Sequence, residues 1–310
     1  MVRLLAAVSA LLGTLIFAAV PAQADVTPAL PEVTKAHSDV IPAHPVVWHI
    51  KGPHGGQATL FGSLHMLPAN TDWLTPDIWH AIARADVFVF EVATDTPSRT
   101  VLDSLIDAHG RLPDGQSLRT LLPPDVQSDY DAAIATAHLS SDVTDHEQPW
   151  LVSLQLTLAD SMNKSYFPDA GVDYVLTNWA RQYHRSVRYL ETVGEQFQML
   201  VPTDNSLHLD EFESGLKRIG HTQNDLDPLI SAWSQGDEQE LGALMDVSFA
   251  ANPQAKKTLV TDRNRRWAGQ IEKMLDEYRN FFITVGAAHL AGPDGVPALL
   301  RADGYEVDGP

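Results

Sequence analysis

Two imidazoles and two carboxylates close apolar runs in this sequence. They are His65 in TLFGSLH, Glu91 in DVFVFEVA, Glu191 in RSVRYLET and His289 in FFITVGAAH. Each histidine follows a glycine by three positions, Gly62 in one case and Gly286 in the other. A carboxylate inside an apolar run is unfavourable unless it is paired, protonated or bound to a metal. Two histidines and two glutamates could hold a hard or borderline divalent cation. They could equally work as acid and base on a water molecule. Each has an ordinary reading as well: a hydrogen-bonded strand-end histidine, or a glutamate paired with a base such as Arg188. Gly62 and Gly286 are expected to permit unusual backbone angles or the close approach of another backbone or ligand.

Other residues offer less. Asp173 in AGVDYV falls in the first turn of a helix, where N-capping or compensation of the helix dipole explains it. Arg263 and Asn264 in DRNRRW are expected on a solvated helix face, although Arg263 could bind a substrate carboxylate or orient Glu91 or Glu191. Ser63 is a conceivable nucleophile with His65 as its only visible base. The sequence has no His-Glu-x-x-His, no Gly-x-Ser-x-Gly elbow, no phosphate-cradling glycine loop and no dinucleotide fingerprint.

The elements that position these residues read as α/β. Val46–Ile50 and Ala58–His65 form strands joined by the turn formers of KGPHGGQ. Pro76–Ala85 is a helix with Thr75 as N-cap. Asp86–Ala93, Arg185–Thr192 and Phe281–Gly286 read as strands, the first buried on both faces. Residues 100–180 are mostly helical, ending in an amphipathic helix that starts at Gly171. Helical patterns follow at 195–200, 207–219, 225–235, 241–250 and 260–278, and a turn, short helix and small strand end the chain. The expected fold is a central mixed sheet flanked by helices and a helical insertion. Its halves look quasi-duplicated, with histidine then glutamate strands in the first and glutamate then histidine strands in the second.

Composition narrows the function. Arg3, the apolar stretch Leu4–Val20 and the small-x-small site Ala22-Gln23-Ala24 read as a signal peptide cleaved after Ala24. An uncleaved anchor is the alternative, disfavoured by the short apolar core. Residues 25–45, with Pro28, Pro31, Pro42 and Pro45, read as a flexible arm, and 46–310 as one domain. The expected location is periplasmic or secreted, with no stable membrane insertion after cleavage. With 40 acidic against 21 basic residues the net charge is -19, and removing the leader makes it one unit more negative. That disfavours nucleic acid and anionic membranes as partners and leaves a peptide or small-molecule substrate. The absence of cysteine excludes disulfides, thiol nucleophiles and zinc-thiolate sites.

TLFGSLHMLP, AIARADVFVFEVA, GVDYVLTNWA, RYLETVGEQFQML, RNRRWAGQI and FFITVGAAHLAGPDGVPALLRADGYEV, in that order, resemble the TraB/PrgY/GumN family in its GumN-like bacterial branch. The resemblance spans roughly Val46 to Val307. It implies a kinship with the TIKI metalloproteases and with a wider clan of erythromycin esterases and ChaN-like haem-binding proteins. It implies a site built from His65 and His289 with Glu91, and with Glu191 as a neighbour. Gly62 and Gly286 shape the strand ends, and Asp173, Gln196, Arg263 and Asn264 match recurring positions of supporting role. The function so implied is an exported hydrolase, a metal-dependent peptidase using Mn²⁺, Co²⁺ or Zn²⁺. One alternative is a metal-independent hydrolase of erythromycin-esterase type, with His65 as base and Glu91 orienting it. The other is a non-enzymatic binder of a peptide, haem or metal. The metal reading requires His65 and His289 to face one ion, with Glu91 beside them.

Overall fold

The computed structural model describes residues 40–202 and 206–310. The expected leader and residues 25–39 of the expected arm lie outside them. The strands are β1 (Ile41–Pro42), β2 (Val47–Lys51), β3 (Gln57–Ser63), β4 (Thr71–Asp72), β5 (Val87–Phe90), β6 (Ser186–Tyr189), β7 (Asn280–Gly286) and β8 (Glu306–Asp308). Six form the main sheet in the order β6-β5-β7-β3-β2-β8. The four strands β6, β5, β7 and β3 run parallel, and β2 is antiparallel to β3 and β8. Parallel neighbours need long crossovers, and helices supply them here.

Parallel strands with helices on both faces need apolar residues on both faces. Phe61, Phe88, Phe90 and Phe282 belong to one cluster, with the helices Pro76–Arg84, Val172–Gln182 and Thr222–Gln235. Leu60, Val87, Val89, Ile283 and Val285 belong to the other, with Asp262–Leu275 and Val296–Ala302. The helical insertion has its own core of Leu118, Tyr130, Ile134, Val152, Leu156 and Phe212.

The mixed sheet and the β2–β3 hairpin match the sequence reading. The two halves are not side by side, however. Strands of the second half (β6, β7) alternate with strands of the first (β5, β3), so the glutamate pair and the histidine pair each join the two halves. Residues 41–43, within the stretch expected to be a flexible arm, are tied to the fold. Ile41 and Ala43 donate backbone hydrogen bonds to Asn70 and Asp72, at 3.0 and 2.9 Å, and Ala43 is buried. Pro42 lies between these two donors, where a missing N–H does no harm. The long helix expected over 260–278 is a π-helical turn, Lys257–Thr261, leading into the α-helix Asp262–Leu275.

Candidate functional site

The carboxyl ends of the four parallel strands share one edge of the sheet, where open α/β sheets place their sites. Glu91 follows β5 directly, and Glu191 lies two residues beyond β6. The Glu191 amide donates to the Glu91 carbonyl at 2.8 Å, holding the two chains side by side past the strands. His65 lies two residues beyond β3, and His289 closes the 3-10 turn Ala287–His289 that follows β7.

Gly62 has ordinary backbone angles, so its use is close approach rather than unusual conformation. A Cβ there would come within 3.0 Å of the Ala287 Cα, where the two histidine motifs touch. Gly171 does the same one layer out. A Cβ at Gly171 would stand 2.2 Å from the His65 carbonyl oxygen, and the Val172 amide donates to Leu64 at 3.0 Å. The helix Val172–Gln182 therefore docks its amino end directly on the strand end. Its second residue, Asp173, is delivered to His65, with Asp173 Oδ2 2.6 Å from His65 Nδ1. Ser63 Oγ donates to Asp173 Oδ1 at 2.9 Å. Asp173 thus makes no cap hydrogen bond, although it stays in the first turn of its helix, and the Ser63 hydroxyl is turned to a carboxylate rather than to His65, which argues against Ser63 as nucleophile.

Arg263 and Asn264 are buried in the middle of the site, not on a solvated face. Arg263 Nη2 donates to Glu91 Oε2 at 2.7 Å and to Glu191 Oε2 at 2.9 Å. Its Nε donates to both Glu191 oxygens at 3.0 and 3.1 Å, and its Nη1 reaches Leu259 O at 3.2 Å and His289 Nε2 at 3.1 Å. Since Nη1 can only donate, His289 Nε2 is an acceptor and the ring proton lies on Nδ1. That Nδ1 donates to Asn264 Oδ1 at 2.5 Å, and Asn264 Nδ2 donates to the Asp294 carbonyl at 2.8 Å. Glu91 also accepts from Gln196 Nε2 at 3.0 Å and from the Gly286 amide at 2.7 Å. Arg266, half-exposed, adds a second cation to Glu191 at 3.1 Å. Arg188, the alternative partner for Glu191, pairs with Glu277 instead.

Protonation follows from these neighbours. Burial alone depresses the His65 pKa, but the Asp173 carboxylate, with Glu91 behind it, outweighs burial and raises it above the ordinary value. For His289 burial, then the Arg263 cation, then His65 all act downward, and its pKa is well below that of an ordinary histidine. Burial raises the Glu91 pKa against the opposing pull of Arg263 and His65.

All four expected site residues thus come to one edge of the sheet, with Asp173, Gln196, Arg263 and Asn264 around them. Their donor atoms do not fit a divalent cation as they stand. Among the described residues no group of three or more histidine, aspartate and glutamate side chains is disposed to hold a metal ion. The physical reason is Arg263. Its guanidinium takes the facing lone pairs of Glu91, Glu191 and His289, three of the four expected ligands. The site is also closed. His65, Glu91, Arg263 and His289 are each at most 2% exposed. A recess of about 280 Å³, open to solvent, is lined by Trp48, Gly62, Trp233, Leu241 and Ala287, and His65, Glu91, Arg263 and His289 do not line it.

A mixed α/β sheet thus carries a buried cluster of carboxylates, histidines and an arginine at its parallel carboxyl ends. The family model for the TraB/PrgY/gumN family matches residues 46–309, and the chain belongs to that family. It is 22% identical over 253 residues to the uncharacterized protein YbaP of Shigella flexneri, covering 80% of this chain and 89% of that protein. YbaP of Escherichia coli K12 is likewise 22% identical, over 246 residues. Metalloprotease TIKI1 of Danio rerio is 21% identical over 318 residues, covering 84% of this chain and 62% of TIKI1. No solved structure matches.

Proposed function

We propose that the chain is a hydrolase of acyl bonds, with peptides as its first class of substrate, and that His65 is its general base. The observation that carries this is the 2.6 Å contact of His65 Nδ1 with a buried Asp173 carboxylate at the carboxyl end of a parallel strand. With Nδ1 held by Asp173, the ring takes a proton from an attacking water through Nε2, and Asp173 stabilises the imidazolium so formed. The same proton then passes to the leaving group. Arg263 positions the surrounding groups, holding Glu91, Glu191 and His289 together beside His65. Glu91, tied to the Gly286 amide, Gln196 and Arg263, joins the end of β5 to the end of β7 and to two helices. The elements packed over these groups must move apart before a substrate can enter, because the site is closed.

The name of the TIKI1 relative supports peptides as substrates and also supports a second reading, a metal-dependent peptidase. The position of Arg263 among the expected ligands argues against that reading, and no step here uses a metal. One experiment separates them. Purified protein is incubated with a peptide library and a panel of carboxylic esters, with chelator or with Mn²⁺, Co²⁺ or Zn²⁺, and products are read by mass spectrometry. Cleavage that persists in chelator and disappears in His65→Gln supports the first reading. Cleavage that needs an added metal supports the second. No cleavage of either class under any of these conditions would sink both and leave a binding protein. Export to the periplasm or beyond is part of the proposal and rests on residues 1–24; fractionation of cells expressing the full chain tests it.

A further inference from the structure

Arginine has five N–H donors in one plane. In Arg263 all five meet acceptors: the two oxygens of Glu191, Glu91 Oε2, the Leu259 carbonyl and His289 Nε2. The Trp267 ring lies 4.5 Å from the guanidinium carbon, so one face of the cation rests on an aromatic surface. Glu91 also accepts from the Gly286 amide and Gln196, and Glu191 from Arg266. Too few facing lone pairs are left for a dication unless Arg263 withdraws. A dication beside the guanidinium would also face its full positive charge in a dry interior.

We propose that Arg263 is the resident cation of this site and holds Glu91, Glu191 and His289 together as a divalent ion would in a metallohydrolase. The guanidinium is a positioning group, since it has no N–H left for a substrate. The π-helical turn Lys257–Thr261 is part of the device, because it brings the Leu259 carbonyl to Nη1 just before the α-helix begins. The site of this chain is accordingly assembled without metal. Removal of the arginine side chain should create a buried anionic hole shaped for a planar cation. This concerns what holds the site together, and it stands or falls separately from the hydrolase reading, because its test uses no substrate.

The test compares wild type, Arg263→Ala and Arg263→Lys, purified without chelator, by elemental analysis and thermal melts. Wild type is expected to carry no stoichiometric Mn, Co or Zn, and its melting temperature should not move when these ions are added. Arg263→Ala should melt about 5–15 °C lower, because two buried carboxylates lose their common partner. Millimolar guanidinium should restore about half or more of that loss, and should not raise the melting temperature of wild type or of the remote Tyr130→Phe variant. Arg263→Lys, which keeps the charge but loses the fork, should melt between the two. The proposal is overturned if wild type holds one equivalent of a divalent ion that is lost in His65→Ala and His289→Ala. It is equally overturned if Arg263→Ala melts like wild type, or if guanidinium has no effect on it. Should Arg263→Ala fail to accumulate, the metal content of wild type and the melting of Arg263→Lys decide the matter.

Discussion

The two Gly-x-x-His motifs end adjacent parallel strands, yet their histidines are held in opposite electrical states. His65 faces a carboxylate and its pKa is raised; His289 faces an arginine and its pKa is well below normal. One ring is prepared to carry charge and the other is prevented from doing so. The motifs themselves are alike, so the difference comes from what the rest of the chain brings to them. The helix starting after Gly171 delivers Asp173 to the first, and the helix Asp262–Leu275 delivers Arg263 and Asn264 to the second. A short motif therefore fixes where a histidine stands, while the elements packed against it fix what the histidine can do.

The largest expected effect removes the feature that makes His65 different. Asp173→Asn should lower kcat by roughly 10²- to 10⁴-fold and move the acid limb of the pH–rate profile to lower pH, since the carboxylate is what raises the His65 pKa. A loss smaller than tenfold with an unmoved limb would erase the distinction between the two histidines. The next test reads both rings in one experiment, thermal melts across the titration range of histidine. A raised folded pKa gives stability that is fully present below the unfolded value of about 6.5 and fades as pH rises through the folded value. His65→Gln should therefore be less stable than wild type at low pH, with that part of the deficit shrinking as pH rises. A depressed folded pKa acts the other way, making wild type lose stability as pH falls below about 6.5. His289→Gln should lack that loss and gain on wild type as the solution is acidified. Deviations of the same sign in both variants would break the comparison.

Smaller effects sharpen it. Gly62→Val places a side chain against Ala287 where the two motifs touch, and should destabilise by about 1–3 kcal/mol in denaturant titrations. Ser63→Ala removes one of the hydrogen bonds that hold Asp173. It should lower stability by about 1 kcal/mol and reduce kcat far less than Asp173→Asn does. A Ser63→Ala variant as inactive as Asp173→Asn would restore Ser63 as a candidate nucleophile.

Much of the sheet was legible in the sequence because apolar runs bounded by turn formers have few other uses. The four polar strand ends were visible for the same reason, since a charge or imidazole closing such a run is conspicuous. What was not legible is which partner each would meet. Ser63 and Asp173 are 110 residues apart, and Arg263 and Glu91 are 172 apart, so no local pattern announces either contact. Arg263 and Asn264 did leave a trace. They stand four and three residues before Trp267, on the stripe completed by Val260, Ile271, Met274 and Leu275, where a helix buries its side chains. Polar residues occupying core positions are a better sign of a buried network than their charge, which by itself suggests solvent. Asp173 shows the same sign, falling in line with Leu176 and Ala180.

The strand order also has a consequence for biosynthesis. β7 is the central strand that joins β5 to β3, and it spans residues 280–286 of a 310-residue chain. Until it has been made, the glutamate strands and the first histidine strand have no edge in common. Sheets that depend on such distant pairing close late and slowly. A nascent or truncated chain that stops before Asn280 therefore has neither a continuous sheet nor the full set of site residues in place.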